Sequence, residues 1–542
     1  MFEKILKGLL RANGYKGFAL NTFLGALSVL GHAPFYLWPI TILCFALLML
    51  RLDKVRDNAS PGRSGFWCGF AFAFGYFLAG LYWIGSAFIA RGPEFIPFMP
   101  FAVLAMVAGL AIFWGLAGFA YVRLTYDKLG KNGISSIWRA GIFACIFFIA
   151  EFLRGHVFGG FPWNLPGYIF AAGSPVSQIA SIVGIYGLTA LVFLLSASLA
   201  LLMERRQQWH PMAICATVLA LCFSYGAVRL ANAEVQYVEG VKLRIVHANI
   251  AQRDKFDPNK YVSIANTYLQ LSRSAGFDDI THVIWPEGAV PGLMFEDQGL
   301  MAAIDNMFRS GKGQGNKKPP VFITQTLRAE AKPQSNKLAY YNAAAAVTFK
   351  DGLAPKISPF YDKQKLVPFG EFIPGGDLLE RVGLHSLSTA LESMSPGRSG
   401  DVPNLPGLPP VSLQICYEII FPGFTSRTQP QGGHRPNWIL NLSNDSWYGN
   451  STGPRQHINQ ARYRAIEQGL PVVRATSGGV SGVIDAYGRQ LTQLGPGEHG
   501  VIDARLPNSN TKTTYKLYVN YIILLLNLIL LIICLKGIHK ET

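Results

Sequence analysis

Seven cysteines occur in this chain, and one stands apart from the rest. Cys44, Cys68, Cys145, Cys215, Cys222 and Cys534 lie in or beside long apolar runs, where a small thiol is ordinary packing material. Cys416 is alone in a block of mixed polarity from Glu234 to Lys516, and a domain with a single cysteine has no internal disulfide to form. Its thiol is then either inert core or a nucleophile. A nucleophilic thiol needs a base to take its proton and a cation or dipole to stabilise the charge that develops. Groups of both kinds occur in segments that place a titratable residue just beyond a hydrophobic strand. VIWPEG (Val283 to Gly288) leaves Glu287 past a strand that Pro286 ends, and YDKQKLVPFGEFIP (Tyr361 to Pro374) sets Lys363, Lys365 and Glu371 among apolar neighbours. VSLQICYE (Val411 to Glu418) alternates Val411, Leu413 and Ile415 on one face, with Cys416 on the other at the strand end.

A Glu, a Lys and a Cys on strand ends of one sheet would supply base, cation and nucleophile in a shared cleft. Spacing alone leaves a second possibility, in which Glu287 and Lys363 form a surface ion pair and Cys416 is core. A cysteine-histidine hydrolase would need His247, His282 or His457 beside Cys416, and spacing does not bring one there; structural or substrate-lining roles suit them better. No pair of His or Cys has the short spacing of a zinc site, so no metal is expected. Serine catalysis lacks its G-x-S-x-G elbow, and Ser477 and Ser481 in TSGGVSG read as turn residues.

The elements that must hold these groups alternate between strand and helix. Strands are predicted at Leu243 to Asn249, His282 to Trp285, Val321 to Thr326, Asn342 to Phe349, Val411 to Ile415 and Trp438 to Leu442, and helices at Asn259 to Ser274 and Arg455 to Gln468. Such alternation argues a layered α/β or α+β domain with buried strands. Gly311 to Lys318 reads as a solvated Gly- and Lys-rich loop without phosphate-loop spacing.

The rest of the chain is apolar. Half of all residues are hydrophobic and 15% are charged, and eight stretches approach the roughly 20 residues that span a bilayer core. They are Gly17 to Leu30, Tyr36 to Leu50, Gly65 to Phe88, Phe95 to Tyr121, Ile137 to Leu153, Ser177 to Met203, Met212 to Leu230 and Leu517 to Leu535. The first two are short, and two thin spans or a broken hairpin around Pro34 and Pro39 both fit them. The predicted domains are therefore a membrane domain over 1–233, a soluble domain over 234–514 and a last span with a tail over 515–542. With the N-terminus inside, 16 of the Lys and Arg residues beside spans fall on the cytoplasmic side, Lys4, Lys7, Lys128 and Lys131 among them, against Arg91, Arg154 and Arg229 outside. That bias places the insert outside the cytoplasmic membrane. It also explains the formal charge of +16 without nucleic acid, since residues 234–516 hold 29 basic and 24 acidic side chains. A transporter is the non-enzyme class to weigh, because Glu151 and Arg154 sit at the outer end of a span where charge is costly. Pairing with each other one turn apart accounts for them equally, and a transporter has no need of so large an insert with a thiol at a strand end.

The three chemical segments resemble the nitrilase superfamily, which carries a Glu-Lys-Cys triad on strand ends of an α-β-β-α sandwich. Closer still is the membrane-bound apolipoprotein N-acyltransferase family. WPEGAVP (Trp285 to Pro291), YDKQKLVPFGEFIP and CYEIIFP (Cys416 to Pro422) are similar to its glutamate, lysine and cysteine motifs. EFLRGHVFGGFPWNLPGY (Glu151 to Tyr168), NLSNDSWYG, GPRQH and RAIEQGLPVVRATSGGVSGVID resemble further segments of it, so the likeness covers nearly the whole chain. It implies a nitrilase-like sandwich inserted in a polytopic helical membrane domain of about eight spans, in a bacterial inner membrane with the catalytic domain periplasmic. It implies catalysis by Glu287, Lys363 and Cys416, support from Glu371, Tyr417 and Glu418, and substrate binding at Phe256 and Trp285. Family members often carry a tryptophan where this chain has Phe256, so an aromatic platform remains without its indole donor. The implied partners are a phospholipid acyl donor and a diacylglyceryl apolipoprotein acceptor, with no cofactor; a membrane-anchored amidase or hydrolase is the alternative. Pro291 to Phe295 and Gly383 to Met394 are candidate lid segments, although ordinary packing explains both as well.

Overall fold

The computed structural model describes residues 8–56, 58–126, 136–310, 318–331, 338–372, 394–398, 402–426, 433–509 and 513–541. Lys4, Lys7, Lys128 and Lys131, the loop predicted over 311–318 and the candidate lid over 383–394 lie outside these residues, except for Lys318 and Met394. The chain forms two compact units, one of residues 1–233, 451–467 and 513–542 and one of residues 234–450 and 468–512.

The first unit is helical, as apolar segments facing lipid must be, because only a helix closes their backbone hydrogen bonds locally. Its helices are α1 (Gly14–Ser28), α2 (Trp38–Val55), α3 (Pro61–Leu81), α4 (Met99–Tyr126), α5 (Ser136–Arg154), α6 (Ala180–Glu204) and α7 (His210–Ala231), joined by two later ones described below. A helix therefore stands at each stretch predicted before the insert. Among the described residues, five helical segments suffice by length and composition to cross a membrane, Pro61–Arg91, Pro93–Thr125, Val176–Glu204, His210–Ala231 and Leu517–Ile538, as in a multi-pass membrane protein. The helices α1, α2 and α5, of 15, 18 and 19 residues, are not among them. At about 1.5 Å rise per residue α1 falls short of a hydrocarbon core about 30 Å thick.

Small residues let these helices approach closely. A methyl group on Gly75 of α3 would lie 1.9 Å from the carbonyl oxygen of Thr22 on α1. Glu151 and Arg154 do pair, one turn apart on α5, at 2.6 Å with both side chains fully buried. The Trp114 indole donates to Glu151 at 2.8 Å, and the Arg154 guanidinium lies over the Phe77 ring at 5.0 Å. Arg154 also donates to the carbonyl of Phe161, which ties down the polar segment after α5.

That segment grips a helix contributed from far along the chain. Helix α10 (Gly453–Gln468) presents Gln456 to the indoles of Trp163 and Trp83 at 2.8 and 3.1 Å. Asn459 accepts from the Ala172 backbone at 3.1 Å, Tyr463 donates to the Phe170 carbonyl at 2.7 Å, and Glu467 accepts from the Ile185 backbone at 2.9 Å. The final helix, α11 (Leu517–Glu541), completes the unit.

The second unit holds two sheets. Strands β1 (Tyr237–His247), β2 (His282–Ile284), β3 (Val321–Ala331), β4 (Leu338–Thr348), β5 (Lys356–Ile357), β6 (Tyr361–Asp362) and β12 (Gly500–Pro507) make the first, ordered β12-β1-β2-β3-β4-β5 with β6 on β4. Strands β7 (Val411–Ile415), β8 (Trp438–Asn444), β9 (Val472–Ser477), β10 (Ser481–Ile484) and β11 (Gln490–Leu494) make the second, ordered β11-β10-β9-β8-β7. The parallel runs β1-β2-β3 and β7-β8-β9 are near-continuous apolar segments, as strands buried on both faces must be. Ile245, Ile284, Ile323 and Ala344 of one sheet share a core with Leu413, Leu440 and Val473 of the other. On the outer face of the first sheet, Val246, Val283 and Phe322 pack under helices α8 (Tyr261–Ser272) and α9 (Gln298–Ser310) through Tyr268, Ile304 and Phe308. An α-β-β layering results. Helix α9 and strands β9 to β12 extend the elements predicted from sequence, and Ser477 and Ser481 are strand ends flanking a hairpin, where they had been read as turn residues.

The buried ion pair of α5 gives a stability test. Glu151→Gln leaves the Arg154 charge without its partner and is expected to cost roughly 3–5 kcal/mol, read as a fall in the thermal midpoint of the detergent-solubilised protein. The double change Glu151→Gln with Arg154→Met is expected to recover part of the loss.

Candidate active site

Glu287, Lys363 and Cys416 all meet within the second unit, on loops that leave strands of both sheets. Cys416 follows β7 directly and adopts φ 49°, a left-handed backbone that costs a non-glycine residue about 1–3 kcal/mol. The sequence secures that turn with Glu418. This fully buried carboxylate accepts from the Ile415 backbone at 2.7 Å, from the Gln364 and Lys365 backbones at 2.6 and 3.1 Å, and from the Tyr361 hydroxyl at 2.9 Å. The nucleophile turn and the lysine loop are thereby tied by one side chain. Burial raises the Glu418 carboxyl to about 7 against the pull of those backbone donors.

Lys363 is placed by strand pairing. Its neighbours Tyr361 and Asp362 pair with Ala344 and Ala343 of β4, and its own N–H bonds the Asn342 carbonyl at 2.8 Å. The ammonium donates to Glu371 at 2.9 Å and lies 3.8 Å from Glu287. Burial would push it down, and Glu371, Glu287 and Cys416 more than offset that, so Lys363 stays above the usual lysine range and cationic.

Glu287 is held from both sides. One oxygen accepts from the Asn342 amide at 2.8 Å and the other from the Asn444 backbone at 2.9 Å. The Asn342 amide reaches Glu371 as well, at 2.8 Å, and its oxygen takes a hydrogen bond from Gln325 at 2.9 Å. Burial raises the Glu287 carboxyl, with Lys363 opposing. Burial pushes the Cys416 thiol up to about 12, with Glu287 adding to the shift and Lys363 opposing it. Cys416 therefore rests as a thiol, and its proton has to leave as it attacks. Glu287, close enough to raise that thiol electrostatically, is a group that could take it.

Of the supporting residues, Glu371 holds Lys363 and accepts from the Val367 backbone at 2.8 Å, while Tyr417 is buried edge-on to Phe421 at 5.0 Å. Phe256 is half exposed and meets Trp447 edge-on at 5.7 Å. Trp285 belongs to the core instead of a cleft wall: it is fully buried between Tyr268 and Phe322, and its indole donates to Ser272 at 2.8 Å. Met294, in the candidate lid over 291–295, is buried and Phe295 lies tilted against Phe360 at 5.9 Å, so this segment is packed here. His247 Nδ1 bonds Ser481 at 2.8 Å, and the two ring nitrogens of His282 bond Thr281 and the Pro406 carbonyl at 2.8 and 2.9 Å. No cluster of three metal-ligating side chains occurs among the described residues.

Sequence reasoning passed over Asn342, Gln325, Asn444 and Lys255. The available signal was a polar amide opening or closing an apolar strand, as in NAAAAV at Asn342 and LNLSN at Asn444.

Because Glu418 satisfies three backbone donors at once, Glu418→Gln turns an amide N–H₂ toward one of them. The expected cost is about 2 kcal/mol in stability, seen in thermal unfolding, with a fall in turnover that Glu418→Asp shares.

Comparison with known proteins converges on one family. Residues 24–198 match the apolipoprotein N-acyltransferase N-terminal domain, and residues 242–516 match the carbon-nitrogen hydrolase domain. The apolipoprotein N-acyltransferase of Rhodopseudomonas palustris is 36% identical over 95% of this chain and 94% of its own. Those of Bradyrhizobium diazoefficiens and Caulobacter vibrioides are 37% and 35% identical, each over 93% of this chain and 91% and 92% of their own. With the acid, the lysine and the thiol gathered on strand ends of a carbon-nitrogen hydrolase domain, and relatives alike over nearly its full length, this chain belongs to the apolipoprotein N-acyltransferase family.

Proposed function

We propose that this protein transfers a fatty acyl chain from a phospholipid, through a thioester on Cys416, to the amino terminus of an S-diacylglyceryl-cysteine apolipoprotein. The observation that carries this reading is the Lys363 ammonium 3.8 Å from the Glu287 carboxylate, which Asn342 and the Asn444 backbone hold at 2.8 and 2.9 Å, in one buried site with Cys416. Glu287 takes the thiol proton as sulfur attacks the ester carbonyl, and Lys363 stabilises the oxyanion. Collapse expels the lysophospholipid alkoxide, which receives the proton back from Glu287. The acceptor α-amine, with an ordinary pKa of about 7.7–8.0, then gives a proton to Glu287 and attacks the thioester. An amide forms, and the sulfur leaves to be reprotonated. Glu371 and Asn342 hold Lys363 and Glu287, Tyr417 and Glu418 shape the nucleophile turn, and exposed Phe256 offers an apolar surface to substrate.

The Lys and Arg bias beside the spans supports an eight-span chain in the bacterial inner membrane, with residues 234–514 periplasmic. The two stacked sheets and the helices over the first of them support an α-β-β-α nitrilase-like sandwich.

Purified enzyme incubated with phospholipid and a diacylated lipopeptide should yield an amide-linked third chain. Cys416→Ala is expected to abolish it, Glu287→Gln to lower the rate by roughly 10²–10⁴, and Lys363→Arg by roughly 10²–10³, because a planar guanidinium replaces a compact ammonium. Release of free fatty acid in place of amide would assign the site to hydrolysis.

A further inference from the structure

The catalytic carboxylates leave a charge to be balanced. Glu287 and Glu371 share one ammonium, that of Lys363. A buried anion without a compensating cation is costly, and a second lysine lies close by.

Lys255 sits in the helical turn Gln252–Phe256 after β1 and is 8% exposed. Its ammonium donates to Ser477 at 2.7 Å and to the Asn444 side-chain oxygen at 3.3 Å. Asn444 is fixed on its other flank by Gln252 at 2.8 Å, and its backbone N–H holds Glu287 at 2.9 Å. A methyl group on Gly288, the residue after Glu287, would lie 3.7 Å from the ammonium. Both direct partners of Lys255 are neutral, and no ion pair includes it among the described residues. An ammonium left without a counterion beside an under-compensated carboxylate is unexpected as mere packing.

We propose that Lys255 is a positioning residue for acyl transfer, which through Asn444 aligns the Glu287 carboxylate on the Cys416 thiol and supplies the second positive charge of the site. The proposal rests on Glu287 acting as the base. Burial pushes Lys255 down to about 7, with Glu287 pulling it back up. The other charges nearby are engaged: Asp445 pairs with Arg474 at 2.7 Å, and on the same turn Asp254 pairs with Lys260 at 2.7 Å, leaving Arg253 at the surface side of the turn.

The test uses the full-length protein in detergent and follows iodoacetamide labelling of Cys416, by mass spectrometry of its peptide, between pH 5 and 9. Removing a cation raises the pKa of a neighbouring carboxylate. Lys255→Met is therefore expected to slow labelling at pH 7 by roughly tenfold and to move the acid limb upward by about half a pH unit or more. Lys255→Arg keeps the charge and should hold the limb near its native position. A native limb and a rate within about twofold for a folded Lys255→Met protein would overturn the proposal. Should that variant not fold, Ser477→Ala removes only the nearest acceptor and should shift the limb in the same direction by less; an unmoved limb overturns the proposal equally. Glu287→Gln separates the two readings. If it labels as fast as the native protein, the assignment of Glu287 as base fails. If it labels slowly, Lys255→Met added to it should change nothing further, and an additional tenfold loss would contradict a route through Glu287.

Discussion

The site depends on keeping its carboxylates dry while each of them is hydrogen-bonded. Asn342 is the hub, because its amide reaches Glu287 and Glu371 at once and its oxygen is held by Gln325. Remove that amide and two buried carboxylates would face each other across a single ammonium. In a low-dielectric cleft such repulsion is strong, and the usual outcome is protonation of one acid. The hydrogen bonds therefore do more than position Glu287. They favour its ionised form in a place where burial favours the neutral one. The same dryness holds the Cys416 thiol protonated, which suits the proposed thioester route, where stray water has to be kept out.

Glu418 shows how the fold transmits this constraint. A strained left-handed Cys416 needs an anchor, and the anchor also binds the backbone of the loop that carries Lys363. The Cys416 turn and the Lys363 loop are fixed to one another by one carboxylate, through the backbones of Ile415, Gln364 and Lys365. In the membrane unit a comparable economy appears at α5, where the Glu151–Arg154 pair fastens the segment whose Trp163 grips Gln456 of α10. The charged residues that raised the thought of a transporter are accounted for by this structural pairing.

How much of this was legible in the sequence depends on whether a local pattern carried it. The apolar runs became helices and the alternating runs became strands, because burial period and backbone satisfaction are local demands. Cys416, Glu287 and Lys363 stood out at strand ends, the resemblance to the nitrilase motifs is what joined them into one triad, and the structure brings them together. Trp285 was misplaced because an indole beside a catalytic glutamate looks the same in sequence whether it faces substrate or core; only the pairing of β2 with β1 and β3 turns it toward Tyr268. Asn342, Asn444 and Lys255 escaped because their roles exist only across elements 50 to 200 residues apart, as the contacts Asn342–Glu287 and Lys255–Asn444 show, with separations of 55 and 189. Helix α10 reads as part of the soluble domain by position, yet its polar face is satisfied by the membrane unit.

The central claim is that Cys416 itself carries the acyl group between two substrates. Intact-mass measurement of the enzyme after exposure to phospholipid alone tests it most directly. The account predicts one added acyl chain, located at Cys416, released by neutral hydroxylamine as a thioester is, and discharged when lipopeptide is added. Active enzyme that never shows an acyl adduct on Cys416 under these conditions would contradict it.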